Sequence, residues 1–332
     1  MFGYMGRAIV ALLFSVSAVS AADKVTFGTD WRAQAEHGGF YQALATGIYA
    51  QHGLDVTLRQ GGPQINHAQL LAAGRIDFAM APNSFIPLNF VAQNIPMVAV
   101  AAMFQKDPAV LIAHPNVGND SLALLATQKR RVMIGPDTRI GFWRFLKAKY
   151  GFVDEQIAPY TFNIAPFLAD KLSVQQGYLS SEPFQLERVG IKPNVFLLAD
   201  SGYASYAAII TTSRKLTETN PDLVQRFVDA SVKGWQAYLY GDSKAADARI
   251  KADNPEMTDE LLTYAREKMR SYRIVDSGAA KQLGVGIMVH ERWKDFFDVM
   301  AADGLYDPNL DYKKAYTLQF VGKAAGTPAP KP

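Results

Sequence analysis

Short apolar runs alternate with helix-like segments up to about Ser213 of this 332-residue chain, and no other feature constrains the fold as strongly. The run Val25–Thr29 is followed by the helical pattern Gly39–Tyr49, and further runs follow at Leu54–Leu58 and Ile76–Met80. Strands that alternate with helices predict mostly parallel sheets with helices on both faces. The sequence therefore predicts an α/β fold.

Two apolar stretches have the character of crossings between two lobes. The chain leaves the first lobe near Ala109–His114 and returns to it near Ser205–Thr211. We expect a discontinuous lobe one (residues 23–110 plus 208–321), a lobe two (residues 111–207) and a tail at 322–332 that is rich in Pro and small residues and disordered. Two crossing strands make a natural hinge, and a ligand cleft is expected between the lobes.

Residues 1–22 have the layout of a secretory signal peptide. Arg7 precedes an apolar stretch that ends near Val19, and small residues follow before Asp23. The stretch is shorter than the roughly 20 residues that a membrane-spanning helix needs. We expect cleavage at or just before Asp23, with an uncleaved anchor as the alternative.

The chain contains no cysteine, which excludes disulfides, cysteine-ligated metals, thiol nucleophiles and a lipid anchor on an N-terminal cysteine. An exported protein without disulfides or a lipid anchor fits a bacterial periplasm. We expect it to be soluble, monomeric and without a membrane anchor.

The charge balance and the motifs exclude several function classes. Lys and Arg number 34 against 31 Asp and Glu, so a basic stripe for nucleic acid is not expected. The sequence has no G-x-S-x-G, no phosphate-binding glycine loop and no H-E-x-x-H, and its five histidines are scattered. We therefore predict no catalytic residues, no metal and no cofactor.

The loop after the first predicted strand is the most informative stretch. It contains Trp31, which offers a flat face for stacking, and His37, which can donate or accept a hydrogen bond at the start of a helix. Tyr41 follows one turn later, and Gly38 and Gly39 would let a ligand approach the helix amides. Ligands of open α/β sheets bind at the carboxyl ends of strands, so this loop is a candidate site. The alternative is that the aromatic residues are core and His37 is a surface cap.

Two further loops of lobe one have the same position after a strand. Asn83 and Ser84 offer an amide and a hydroxyl, although both are common helix caps. Phe104 and Gln105 follow a long apolar strand, and we expect them to face the cleft.

Lobe two supplies the remaining candidates. Asp137, Arg139 and Phe142 follow a strand at a helix start, where Arg139 could clamp a carboxylate or sulfonate or be an ordinary first-turn residue. Glu182 begins another helix, where it could accept from an aminopyrimidine or cap the helix. Tyr178 and Tyr203 add stacking faces.

The stretch DWRAQAEHGGFYQALATGIYAQHGLDVTL resembles the opening of solute-binding proteins of ABC transporters, most of all the branch related to thiamine-pyrimidine synthesis and uptake. The residues that match the motif of this branch are Trp31, His37, Gly39, Tyr41, Gly47, Tyr49, Gly53, Leu54 and Val56. The runs GGPQINHAQLLAAGRIDFAM, VAVAAMFQKDP, NPDLVQRFVDASVKGWQAYL and RWKDFFDVMAADGLYD are also similar to it. Members often read Gly-x-Val-Asp before a strand of lobe two, where this chain has Asp170–Ser173.

This resemblance implies a type II periplasmic-binding-protein fold with two Rossmann-like lobes. It also implies capture of a small solute and delivery to a permease with its ATPase. Trp31, His37 and Tyr41 are then candidate ligand contacts. An enzyme relative that makes the pyrimidine uses a Cys-rich motif, which this chain lacks.

Our leading expectation is a thiamine-precursor-like aminopyrimidine, with Trp31 and the tyrosines against its ring and Glu182 at its amino edge. The alternatives are an anionic solute (an aromatic carboxylate, a sulfonate such as taurine, or nitrate), a pyrimidine-processing enzyme on the same fold, or a sensory protein that presents its ligand to a receptor.

Overall fold

A computed structural model describes residues 21–62 and 65–322, except for the side chains of Asp137 and Ile140. The predicted signal peptide, apart from its last two residues, and the predicted tail after Gly322 lie outside the described residues. In the described ranges no helix is both long and apolar enough to cross a membrane.

The strands form two five-stranded sheets. Sheet one has the order β2-β1-β3-β10-β4 and sheet two the order β7-β6-β8-β5-β9. We use lobe one and lobe two for each sheet with the helices packed on it. The strands are β1 (Asp23–Gly28), β2 (Leu54–Arg59), β3 (Phe78–Asn83), β4 (Met97–Phe104), β5 (Ala109–Ala113), β6 (Val132–Ile134), β7 (Ile157–Pro159), β8 (Val174–Tyr178), β9 (Asn194–Leu197) and β10 (Ala207–Ser213).

The helices connect these strands and cover the sheets. They are α1 (Gly38–Ala45), α2 (Ile48–Gln51), α3 (His67–Ala72), α4 (Phe85–Ala92), α5 (Leu122–Thr127), α6 (Pro136–Ile140), α7 (Phe142–Tyr150), α8 (Ala165–Ala169), α9 (Glu182–Arg188), α10 (Arg214–Thr219), α11 (Pro221–Tyr240), α12 (Lys244–Asp253), α13 (Asp259–Ser271), α14 (Ala280–Leu283) and α15 (His290–Ala302). A short 3₁₀ turn, Ala35–His37, leads directly into α1.

The crossing strands give both sheets a mixed character. β10 returns from lobe two and pairs antiparallel with both β3 and β4. β5 pairs antiparallel with β8 and β9. The other pairs, β1 with β2 and β3 and β6 with β7 and β8, are parallel. The expectation of mostly parallel sheets was therefore wrong, because a strand that returns from the other lobe enters the sheet in the opposite direction.

Apolar side chains on both faces of β4 hold lobe one together. All eight residues of β4 are buried. Val98 and Val100 belong to the same apolar cluster as Phe227 of α11, whereas Ala99 and Ala102 belong to the cluster around Trp293 of α15. Helices therefore cover both faces of sheet one.

Several helix ends follow directly from the sequence. The Asn66 side chain accepts from the Gln69 amide at 3.0 Å, and Asn220 accepts from the Leu223 amide at 3.2 Å, as expected for N-caps. Gly53 and Gly151 adopt φ values of 69° and 74°, the left-handed conformation that ends a helix.

Two segments of lobe two differ from what their local sequence indicates. The segment from Thr138 to Lys149 has the pattern of one helix, but it is interrupted at Gly141, which separates α6 from α7. The segment Thr161–Asn163 has the pattern of a short strand, but it is a loop, and the strand before it is β7. Phe162 in that loop has a φ of 56°, which strands do not adopt.

Candidate functional site

The two lobes meet at the carboxyl ends of β1 and β8. The loop after β1 leads through Asp30 and Trp31 into the 3₁₀ turn that contains Glu36, and Ser180 follows β8. The Ser180 hydroxyl donates a hydrogen bond to the Glu36 carboxylate. This contact joins lobe one to lobe two at the position where open α/β sheets bind ligands.

Acidic groups form the lobe-one wall of this cleft. Nε2 of His37 lies 2.8 Å from Oδ1 of Asp30, and the His37 side chain is fully buried. Burial raises the pKa of Glu36, and the charge of Asp30 raises it further, whereas the hydrogen bond from Ser180 and the charge on His37 lower it. His37 is thereby fixed next to two carboxyl groups.

Lobe two places a second carboxyl group opposite this wall. Glu182 is the first residue of α9, and its Oε2 accepts from the Tyr178 amide at 2.8 Å. Its Oε1 accepts from the Tyr160 hydroxyl at 3.1 Å. Burial raises the pKa of Glu182, and the hydrogen bonds from Tyr178 and Tyr160 partly oppose that rise. Glu182 therefore fixes the end of β8 while its remaining lone pairs can accept from a ligand.

The phenol of Tyr178 lies among the acidic groups. Burial raises its pKa well above the ordinary value, and the negative charges of Asp107, Asp30 and Glu36 add to this. Tyr178 therefore stays protonated and can act as a hydrogen-bond donor in the cleft.

An aromatic pair crosses the mouth of the cleft. The rings of Trp31 in lobe one and Phe162 in lobe two lie 5.5 Å apart between centroids, at 36°. Tyr160 continues the group, 5.2 Å from Phe162. Phe162 is 60 % exposed, so it can change its contacts without opening a core. Flat π faces from both lobes therefore lie beside the carboxyl groups.

Some side chains that we predicted as ligand contacts instead bond to other parts of the chain near the crossing strand β10. The Ser84 amide donates to Oγ of Ser205 at 3.2 Å, and the Tyr206 amide donates to Oγ of Ser84 at 3.0 Å. Nε2 of Gln105 donates to the carbonyls of Ala102 and Ile287. Ser84 thus stabilises the hinge, and Gln105 holds the end of β4 against the segment before α15. Likewise Oδ1 of Asn83 accepts from the amide of Phe85, the first residue of α4.

Asp107 lies buried at the hinge, where its Oδ1 accepts from the Ala109 amide at 3.0 Å. Burial raises its pKa to about 7, and the Ala109 amide, Ser205 and the charge of Arg292 oppose the rise. Arg292 itself donates to the carbonyls of Ala204 and Ser205, both at 2.8 Å. The carboxyl group of Asp107 therefore titrates near neutral pH at the hinge.

We expect Asp107→Asn to stabilise the protein at pH 8 but not at pH 4. In the wild type the folded state keeps its proton up to about pH 7, whereas the unfolded chain releases it near 3.8, so stability falls as pH rises between these values. Asparagine keeps the acceptor for Ala109 and removes this loss, a gain of about 4 kcal/mol at pH 8, because each unit of pKa difference is worth about 1.4 kcal/mol. Thermal unfolding of both proteins at the two pH values measures it. A stability difference that does not change with pH would contradict the assignment.

The other predicted site residues lie in apolar cores or at the surface. Tyr203 packs against Phe145 and Phe296, and Phe142 lies near it in the same cluster. Phe104 is buried in lobe one, 5.1 Å from Trp235. Arg139 is exposed. Asp137 lies in α6, and its side chain is not among those described.

Tyr41 stabilises the loop after β1 through contacts with Asp253. Its hydroxyl donates to the Asp253 carboxylate at 2.8 Å, and the ring is 1 % exposed. The Asp253 carbonyl accepts from Gln60, whose Oε1 accepts from the amide of Ala33. Tyr41 therefore belongs to a chain of contacts that ends in the loop containing Trp31.

Tyr41→Phe is expected to lower stability by about 1 kcal/mol, the usual net value of one hydrogen bond, because the exposed Asp253 carboxylate can turn to water. Ligand affinity is expected to change by less than about twofold if Tyr41 acts only through packing. Denaturant unfolding and calorimetric titration measure the two effects. A large loss of affinity without loss of stability would make Tyr41 a direct contact.

Gly38 and Gly39 have a role in packing that we did not predict. A Cβ atom on Gly39 would overlap the indole of Trp235, and one on Gly38 would overlap the ring of Tyr238. The expectation that these glycines open α1 to a ligand was therefore wrong, because α11 covers that side of the helix.

The structure thus brings Trp31, His37, Tyr178 and Glu182 together at one cleft. Sequence reasoning did not single out several residues beside them: Asp30, Glu36, Tyr160, Phe162, Gln176 and Ser180. Asp30 and Glu36 lie in the loop already selected, so their carboxyl groups were the available signal. No local sequence pattern indicated Phe162, because only the tertiary fold brings it next to Trp31. Among the described residues no group of three or more His, Asp or Glu is arranged to hold a metal ion.

Comparison with known proteins agrees with this architecture. A riboflavin-binding protein, RibY, of Chloroflexus aurantiacus is 26 % identical over 307 residues, which span 90 % of this chain and 86 % of that protein.

Two solved structures show the same fold at low sequence identity. The periplasmic aliphatic sulphonate binding protein SsuA of Escherichia coli superposes with a TM-score of 0.64 at 12 % identity, covering 90 % of this chain and 99 % of SsuA. The desulfurization enzyme DSZB superposes with a TM-score of 0.57 at 15 % identity, covering 90 % and 97 %.

The predicted fold class, an α/β chain of the periplasmic-binding-protein type with two lobes, is confirmed. The profile of one protein family, described as NMT1/THI5 like, matches residues 34–245, which include Glu36, Tyr178, Glu182 and the hinge. The chain therefore belongs to the NMT1/THI5-like family.

Proposed function

We propose that this protein is the solute-binding component of an ABC-type importer and captures a flat heteroaromatic solute between its lobes. The observation that carries the proposal is the pair Trp31 and Phe162, whose rings meet across the lobes at 5.5 Å. A planar ring inserted between two such faces gains stacking from both lobes. Capture and closure would then be one event.

The carboxyl groups beside this pair suit a ring that carries amino or N–H groups. Glu36 and Glu182 lie on opposite lobes, and each retains lone pairs that its internal hydrogen bonds do not use. Tyr178 can donate to a ring nitrogen or carbonyl. This combination matches the hydrogen-bonding edge of an aminopyrimidine or of a flavin.

The charges of the cleft disfavour the anionic alternative. Sulfonates and carboxylates are usually held by Arg or Lys. Here Arg292 donates to two backbone carbonyls, and Arg139 is exposed in α6. The groups that face the solute are acidic, so SsuA-like sulfonate binding does not fit this cleft.

An aminopyrimidine of the thiamine-precursor type is our first candidate ligand. Riboflavin is the second, because the relative RibY is named for it and spans 90 % of this chain. We propose Trp31 and Phe162 as stacking residues, Glu36 and Glu182 as acceptors, and Tyr178 and His37 as polar contacts. We also propose that the protein works as an exported periplasmic monomer, with a permease and its ATPase as partners, and performs no catalysis.

Thermal shift and calorimetric titration of residues 23–332 test the proposal. The panel contains the hydroxymethyl aminopyrimidine, riboflavin, taurine and an alkanesulfonate. Binding to the folded state raises its stability by mass action, about 2.7 kcal/mol at a hundredfold excess over Kd. We expect the pyrimidine or riboflavin to bind and to be recovered unchanged by mass spectrometry. Binding by taurine or the sulfonate alone would overturn the proposal, and recovery of a converted product would restore the enzyme alternative.

A further inference from the structure

We propose that this cleft takes its solute as the free alcohol and rejects the phosphate ester of the same compound. The inference rests on the proposed function, because it concerns the same cleft. The observations that carry it are the signs of the charges around the cleft and the state of the backbone amides at its edge.

Carboxyl groups lie on both lobes of the cleft and at the hinge. Asp30 and Glu36 lie on lobe one and Glu182 on lobe two, and Asp107 lies at the hinge between them. They lie close enough to act on one another, since the charge of Asp30 raises the pKa of Glu36 and the charge of Glu36 raises that of Glu182, each in addition to the larger effect of burial.

Three backbone amides at the edge of this cleft already have acceptors from the chain itself. Anions bind at strand ends and helix starts because free N–H groups point outward there. In this cleft the Gly135 amide donates to Oε1 of Gln176 at 2.5 Å, and the Tyr178 amide donates to Oε2 of Glu182 at 2.8 Å. On lobe one the Ala33 amide donates to Oε1 of Gln60 at 3.0 Å.

Two basic side chains at the hinge are engaged as well. Arg292 lies over the ring of Tyr206 at 4.2 Å and donates to the carbonyls of Ala204 and Ser205. Lys106 pairs with Asp200 at 2.6 Å. A phosphate would therefore have to break contacts that hold the hinge.

A phosphate dianion could enter this cleft in two ways, and each is unfavourable. It would lie beside ionised carboxylates, whose like charge repels it. Alternatively the carboxyl groups that are ionised at neutral pH would take up protons first, which costs free energy. A hydroxyl group avoids both effects, because it is neutral and can donate to a carboxylate.

This selectivity implies one class of reaction before capture of the solute and another after its import. Where the solute occurs outside the cell as a phosphate ester, a phosphoester hydrolysis must precede capture. Where the cell uses the ester, phosphorylation by a kinase must follow import.

Calorimetric titration with matched pairs tests the inference. The probes are the hydroxymethyl aminopyrimidine and its phosphate ester, and riboflavin and its phosphate ester. We expect the ester of the pair that binds to be weaker than its alcohol by at least about 100-fold, the effect of one or two close like-charge pairs. An ester that binds as tightly as its alcohol would overturn the inference and leave the proposed function in place. If no member of either pair binds, the proposed function fails and the inference fails with it.

Charge-neutral variants identify the source of the selectivity. Glu36→Gln keeps an acceptor for Ser180, and Asp30→Asn keeps one for His37, so both are expected to fold. Each should reduce the difference between alcohol and ester by about tenfold, mainly by strengthening ester binding. The matched control is Glu218→Gln on the exposed surface of α10, which should leave the difference unchanged. If neither cleft variant changes the difference, the carboxyl groups do not cause it and the inference is wrong.

Discussion

Gly39→Ala is expected to destabilise the protein by more than about 3 kcal/mol, which is enough to leave much of the protein unfolded at 37 °C. The added Cβ would overlap the indole ring of Trp235, which is itself fully buried between Phe40 and Phe104. The ring has nowhere to move without displacing α11 from α1. A loss of stability would be informative, because replacing glycine by alanine within a helix normally stabilises a protein by roughly 0.5–1 kcal/mol.

Gly135→Ala is the matched control, since a Cβ there would meet its nearest neighbour at 3.6 Å, an ordinary contact distance. Its backbone is extended and permits any residue. Urea unfolding of both variants measures the difference. Wild-type stability of Gly39→Ala would show that α1 and α11 do not pack as closely as described.

Trp31→Ala is expected to weaken ligand binding by roughly 1–3 kcal/mol, by analogy with the loss of one base–aromatic stacking contact. The change removes the lobe-one half of the ring pair and leaves Phe162 without its partner across the cleft. Stability should change little, because Trp31 is only partly buried. Titration with whichever of the aminopyrimidine or riboflavin binds measures the loss.

Two companion variants separate stacking from other effects. Trp31→Phe keeps a flat ring and should recover most of the affinity. Arg32→Ala removes an exposed neighbour whose ion pair with Glu256 spans 3.6 Å, and it should leave binding unchanged. Equal affinity of Trp31→Ala and the wild type would mean that the ring does not contact the solute.

Most elements of the fold could be predicted because they depend on local patterns. β5 begins at Ala109 as predicted, and Asn66 and Asn220 are of a residue type that commonly caps helices. The direction of β10 could not be predicted, because it depends on how the chain returns from lobe two. The same holds for Gly38 and Gly39, whose requirement comes from Trp235 and Tyr238 far along the chain.

The location of the candidate site could be predicted from the sequence, but the residues that line it could not. The loop after β1 and the start of α9 were recognised from their position at strand ends, and Trp31, His37 and Glu182 lie there. Ser84 and Gln105 have the same local setting, yet Ser84 bonds to Ser205 and Gln105 bonds to the carbonyls of Ala102 and Ile287. Local sequence shows that a polar side chain follows a strand. It does not show whether another part of the chain already supplies its partner.

The central position of β10 also has a consequence for the order of folding. β10 lies between β3 and β4, but it is synthesised only after all five strands of sheet two. Sheet two draws its strands from one continuous segment, so it can form as soon as that segment is available. β4 cannot pair until β10, residues 207–213, is available, and until then its long apolar surface stays exposed. Such long-range pairing is slow, and the waiting intermediate is prone to aggregate. We therefore infer that the emerging first half of this chain is the part most dependent on a chaperone.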